Sequence, residues 1–154
     1  MLSLSVYLPN VKINKSPDPH LIWCAIRKKW YTLTPEEVVR QCAILYCLEL
    51  GYPSGRISVE KQIRFNKLSR RYDIVVHNKK GHPEILVECK AMHLPIHQST
   101  LDQAISYNQT LTSTFLWLTN GHENLFFKVG NELVGIKPLK DIPCYRHDSY
   151  LEEE

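Results

Sequence analysis

RRYDIVVHNKKGHPEILVECK, residues 70–90, is the stretch on which the fold turns. It reads as two strands, Tyr72 to His77 and Glu84 to Lys90, joined by a turn at Asn78-Lys79-Lys80-Gly81. Ile85-Leu86-Val87 is a continuous apolar run suited to a strand buried on both faces, yet it runs straight into Glu88-Cys89-Lys90. Charges that continue a buried strand are costly unless they are paired or bound to a metal.

Side chains alternate across a strand, so Ile85, Val87 and Cys89 share one face while Leu86, Glu88 and Lys90 share the other. With the turn at residues 78–82, paired residue numbers sum to about 160 or 161. Asp73 then faces Val87 in the first register or Glu88 in the second, and in the second Asp73, Glu88 and Lys90 converge. Two carboxylates directly opposed across strands repel unless a cation lies between them. Mg²⁺ suits such oxygen ligands and keeps waters that can serve as nucleophiles; a lysine beside it can orient that water or stabilise charge on a phosphate. The plain reading of the same residues is a set of surface ion pairs on a half-exposed hairpin.

Working outward, Thr34-Pro35-Glu36-Glu37 predicts a helix start, with Thr34 as N-cap, Pro35 first in the helix and Glu37 at the capping-box position. That helix should run to about Leu50 and stop at Gly51-Tyr52-Pro53. Before it, Ser5 to Leu8 and Leu21 to Ile26 are β-like runs flanking the turn-rich residues 14–20, which predicts an N-terminal arm or hairpin. A strand is expected from Ile57 to Ile63, and a second helix from an N-cap at Ser99, with Asp102 in its first turn, to about Leu111. Thr114 to Thr119, Asn124 to Val129 and Glu132 to Ile136 read as the last strands. The order predicts an α/β or α+β protein with helices packed on a mixed central sheet. We expect a β arm over residues 1–33, a core over 34–140 and a tail over 141–154, in one domain.

The chain has 154 residues, 44% hydrophobic and 23% charged, the balance of a globular protein. No window nears the roughly 18 consecutive apolar residues of a membrane span, and the N-terminus lacks the pattern of a secretory signal, so a cytoplasmic protein is expected. Five cysteines with no C-x-x-C pair read as reduced, mostly buried thiols. Net charge is only +3, but Arg64, Lys67, Arg70 and Arg71 gather just before the hairpin, as candidates for phosphate contacts. His93 and His97 flank Pro95, which argues against a helical zinc pair. Neither G-x-x-x-x-G-K-[ST] nor G-x-S-x-G occurs.

Asp73 followed by Glu88-x-Lys90 resembles the PD-(D/E)xK nuclease superfamily, with Tyr72 where that motif has proline. Gln103 and Tyr107, four apart on one helical face, are similar to the Q-x-x-x-Y element of RecB-type members. LTPEEVVRQ (33–41), VEK (59–61), RYDIVV (71–76), LVECKA (86–91) and LTNG (118–121) together look like the N-terminal nuclease domain of type I restriction enzyme R subunits in a short, free-standing form. The resemblance implies a restriction-endonuclease-like fold with core order α-β-β-β-α-β and a Mg²⁺-dependent DNA endonuclease, with Mn²⁺ as a substitute metal. Asp73 and Glu88 would ligate metal and Lys90 would assist the attacking water. The family also carries an acidic residue on its first helix; Glu36 is the choice, because a capping box would occupy Glu37. Gln103 would support catalysis, and Tyr107 would meet the DNA beside Arg64, Lys67, Arg70 and Arg71. No helicase motor follows in this sequence, so the module would act autonomously or with a restriction-system or helicase partner in trans, with self-association also open. The alternative is a non-catalytic DNA-binding or assembly module that keeps the fold.

Overall fold

The computed structural model describes residues 1–14, 20–60, 62–65, 68–131, 133 and 135–145. A six-stranded mixed sheet carries α1 (Pro35–Glu49) on one face and α2 (Gln98–Leu111) on the other. Its strands are β4 (Ile57–Val59), β7 (Ile74–His77), β8 (Pro83–Cys89), β9 (Phe115–Thr119), β10 (Asn124–Val129) and β11 (Ile136–Leu139), in the order β11-β10-β9-β8-β7-β4. Strands β8 and β9 run parallel across the α2 crossover; the other neighbours are antiparallel. The succession α1-β4-β7-β8-α2-β9 is the α-β-β-β-α-β order expected from the sequence.

Helix α1 begins as its sequence dictates: Thr34 Oγ1 accepts from the Glu37 N–H at 3.1 Å and Pro35 takes the first position. Val39, Cys42, Ala43, Ile44 and Cys47 are fully buried against Ile74, Val76, Ile85, Val87, Cys89 and Trp117. On the opposite face, Val75, Leu86, Leu116 and Leu118 meet Ala104 and Leu111 of α2. Strand β8 is therefore apolar without alternation because helices cover both its sides. Cys24, Cys42, Cys47 and Cys89 are buried free thiols and Cys144 is an exposed one. No helix among the described residues is long and apolar enough to cross a membrane.

Several boundaries differ from the sequence reading. Ser5 to Leu8 belongs to a 3-10 helix, Leu4–Asn10, and not to a strand. Leu4, fully buried and donating its N–H to Gly121 O at 2.8 Å, plugs this segment into the core, and Ser3 Oγ caps it; a single buried anchor outweighs the β-like composition. The arm's strands are β1 (Ile13–Asn14), β2 (Leu21–Cys24) and β3 (Lys29–Thr32), a small antiparallel sheet; residues 15–19 of the predicted turn lie outside the described residues. The strand predicted over Ile57 to Ile63 breaks at Glu60, whose φ of +51° turns the chain, so β5 (Gln62–Phe65) pairs instead with β6 (Leu68–Arg71) in a separate hairpin. Helix α2 has its N-cap at His97, two residues ahead of the expected Ser99, so Asp102 falls beyond the first turn, where it accepts from Gln98 Nε2 at 3.1 Å. The strand predicted from Glu132 starts only at Ile136, because Gly130 and Gly135 close a longer loop through Gly130 N–H to Gly135 O and Gly135 N–H to Asn131 O; Glu132 itself is not among the described residues.

Candidate active site

Strands β7 and β8 adopt the second of the two predicted registers. Ile74 pairs with Val87, Val75 with Leu86 and Val76 with Ile85; Asp73 lies just before β7, and the same register extended by one residue sets it opposite Glu88. A bulge between Val76 and His77 shifts the pairing by one toward the turn, where His77 meets Pro83. The turn is closed by Asn78, which accepts at Oδ1 from the N–H groups of Lys80 and His82, and by Gly81 at φ +79°. Local turn geometry thus sets where the carboxylates fall at the other end of the strands.

Asp73 Oδ2 accepts from the Cys89 N–H at 2.7 Å, and Oδ1 accepts from Arg40 Nη2 at 2.9 Å. The same Nη2 donates to Glu36 Oε1 at 3.0 Å. Glu36 remains half exposed, and burial followed by the charge of Asp73 raises its pKa. Glu37 is buried and held by Arg27 Nη2 at 2.7 Å, by Gln41 Nε2 at 3.0 Å and by Arg40 Nη1. Glu37 is indeed occupied, as the choice of Glu36 requires, but the arginines occupy its carboxylate while Thr34 serves only its N–H. Glu60 completes the network, accepting from Arg27 Nη1 at 2.8 Å and Arg71 Nη2 at 2.6 Å.

Glu88 is 93% buried, and its Oε2 has no hydrogen-bond partner among the described residues. Burial, then the negative charge of Asp73, pushes its pKa up to about 8, against the pull of Lys90. Lys90 follows β8, its N–H bonded to Thr119 O at 2.8 Å, and its charge acts on both Glu36 and Glu88. An orphaned, buried carboxylate oxygen facing a second carboxylate suits a hard divalent cation. Among the described residues, however, no three His, Cys, Asp or Glu side chains are grouped to hold a metal as they stand. Arg40 instead bridges Glu36 and Asp73. Burial works against its charge, but Asp73 and then Glu37 hold its pKa above the ordinary arginine value.

Gln103 Nε2 donates to Tyr107 OH at 2.6 Å along α2, so the predicted pair is joined to itself. Tyr107 also packs edge-on against Tyr72, ring centroids 5.7 Å apart, and its carbonyl accepts from Tyr72 OH at 3.1 Å. Arg64 stands exposed on β5, while Arg70 and Arg71 lie on β6; Lys67 is outside the described residues. Arg71 is partly committed to Glu60. The sequence reading missed Arg27, Arg40 and Glu60 as parts of this network. The three-and-four spacing of Arg40 from Glu37 and Glu36 was a visible signal for two of its contacts.

A family model described as type I restriction enzyme R protein N terminus matches residues 35–143. No curated protein matches. Among solved structures, a fragment described as an HsdR subunit of a type I restriction enzyme from Vibrio vulnificus YJ016 is similar over 72% of this chain, with 23% identity and a TM-score of 0.55. At that identity the likeness is one of fold. The match spans 24% of the Vibrio chain.

Proposed function

The chain belongs to the family of type I restriction enzyme R protein N termini, and from that membership and the site above we propose that it is a Mg²⁺-dependent deoxyribonuclease module of a restriction system. The observation that carries the reading is Glu88: a buried carboxylate with an unpartnered oxygen, opposite Asp73 and two residues before Lys90.

In this reading Asp73 and Glu88 would hold the metal, joined by Glu36 from α1. A Mg²⁺ ion held by these residues, or Mn²⁺ in its place, would supply an acidified water and positive charge beside the scissile phosphate. The Cys89 N–H fixes the Asp73 carboxylate before any substrate arrives. A cation held there would offset the burial and the neighbouring charge that oppose ionisation of Glu88. Lys90, a compact charge on a flexible stem, orients the attacking water or stabilises the charge that develops on the phosphate. Gln103 and Tyr107 position a neighbour or the DNA. Arg64 and Arg71 would contact the phosphate backbone, which gives affinity without sequence readout; the side chain of Arg70 lies outside the described residues.

The test is cleavage of supercoiled plasmid and of linear single-stranded DNA with Mg²⁺, Mn²⁺ or EDTA, by the wild-type protein and by Lys90→Ala. Metal-dependent cutting that Lys90→Ala loses, with its melting temperature retained, is the expected result. Wild-type cutting rates in that variant would sink the assignment. The ion pair of Arg40 with Asp73 favours a second reading, a non-catalytic DNA-binding or assembly module; DNA binding by the wild type with no cutting and no metal uptake would establish it.

A further inference from the structure

Arg40 has no task in the reading just given, yet it is the most buried cation of the site, its side chain 5% exposed. One nitrogen, Nη2, bonds both Glu36 Oε1 and Asp73 Oδ1, at 3.0 and 2.9 Å. Two of the three carboxylates assigned to the metal therefore meet on a single positive group. The other acids of the network have further partners: Glu37 has Arg27 and Gln41, and Glu60 has Arg27 and Arg71. Arg40 Nη1 also points into that second group, bonding Glu37 and lying 3.5 Å from Glu60 Oε1. The guanidinium thus straddles two carboxylate clusters, one of which is complete without it.

We propose that Arg40 is a resident counter-ion of the metal site, which holds Glu36 and Asp73 together in the metal-free protein and releases them to an entering divalent cation. Its charge then rests on Glu37 and Glu60, which its other nitrogen already faces. Arg40 is a positioning residue that acts through Glu36 and Asp73, and the proposal rests on the assignment of those carboxylates to metal. Among the described residues no three carboxylates form a ready cradle, and two of the three assigned here are already bridged by the arginine. Two like-charged ligands left without a counter-ion would repel; an internal arginine avoids that, but it competes with the metal.

Mn²⁺ binding by electron paramagnetic resonance, on wild type, Arg40→Met and Arg40→Lys, tests this, with circular dichroism melts as the control for folding. Arg40→Met keeps the side-chain length and removes the competing charge, and should bind Mn²⁺ about tenfold more tightly, the scale of one charge-assisted contact relieved. Arg40→Lys should remain within about threefold of wild type, because a cation is retained. In wild-type protein labelled with ¹⁵N-arginine, the Nε–Hε signal that Arg40→Lys lacks should shift with Mg²⁺ along the metal-binding curve; this arm needs no folded Met variant. Equal or weaker binding by a folded Arg40→Met, or an Arg40 signal that stays still while the wild type binds metal, would overturn the counter-ion role and leave the nuclease reading standing. Absence of metal binding in both wild type and Arg40→Met would overturn both.

Discussion

Glu88 meets two conditions that oppose its ionisation: it is almost wholly buried, and a second carboxylate faces it across the strand pair. Its folded-state pKa of about 8 lies above the ordinary 4.5, so between those values the folded protein binds a proton that the unfolded chain does not. The sign follows. Glu88 contributes full stability below about pH 4.5, and that contribution is lost as pH rises toward 8, with a slope bounded by about 1.4 kcal/mol per pH unit. Glu88→Gln carries no such proton, so in EDTA its denaturation midpoint should gain on the wild type progressively from pH 5 to pH 8 and then level off. Parallel pH profiles for the two proteins would show that Glu88 ionises freely in the fold. At this scale the sequence was legible where strand geometry governs: alternation and turn position narrowed the pairing to two registers, in one of which Asp73, Glu88 and Lys90 converge, and the structure adopts that one. The sequence was not legible for the contact of Arg40 with Asp73, because Asp73 lies 33 residues further along the chain and only tertiary packing brings the two together.

Tyr72 shows how an element constrains its motif. The position where the motif that Asp73 and Glu88-x-Lys90 resemble has proline is here a fully buried tyrosine, packed edge-on with Tyr107 of α2 and bonded to its backbone. It ties the helix to the residue just before Asp73. Tyr72→Phe removes only the hydroxyl bond and should cost about 1 kcal/mol in urea denaturation. Tyr72→Pro restores the motif but empties a ring-sized volume in the core, and should cost about 3–5 kcal/mol. A neutral proline substitution would mean that the ring carries no packing load. Helix α1 makes the complementary case, since its cap is written in the sequence. Thr34→Ala should cost about 1 kcal/mol by leaving the Glu37 N–H without its acceptor. Elements with such local signals, α1 and the β7–β8 hairpin, were readable in advance. The Leu4–Asn10 helix, the break at Glu60 and the delayed start of β11 were not, because a distant backbone partner, a left-handed residue and a glycine-closed loop decide them.

For the whole molecule, the net charge of +3 does not show how many of the cations near the site are already committed to carboxylates. Of the basic residues near the site, Arg27 and Arg40 are nearly buried and paired with Glu36, Glu37, Glu60 and Asp73, and Arg71 is held by Glu60 although largely exposed. These pairs join α1, the arm and the β5–β6 hairpin, so much of the basic charge stabilises the fold around the site. On the function proposed above, Arg64, exposed on the hairpin outside the central sheet, would meet a phosphate. Its loss should weaken binding uniformly across sequences, because a phosphate contact carries no base information. It should also lower the slope of log Kobs against log salt by about 0.9 on duplex DNA, one counterion's worth. Arg71→Ala should change that slope less, since its charge is already balanced by Glu60. Fluorescence anisotropy on two unrelated duplexes, titrated in EDTA at several salt concentrations, measures both effects. A slope unchanged in Arg64→Ala would place the DNA on another face and detach the hairpin from substrate binding, while leaving the metal site untouched.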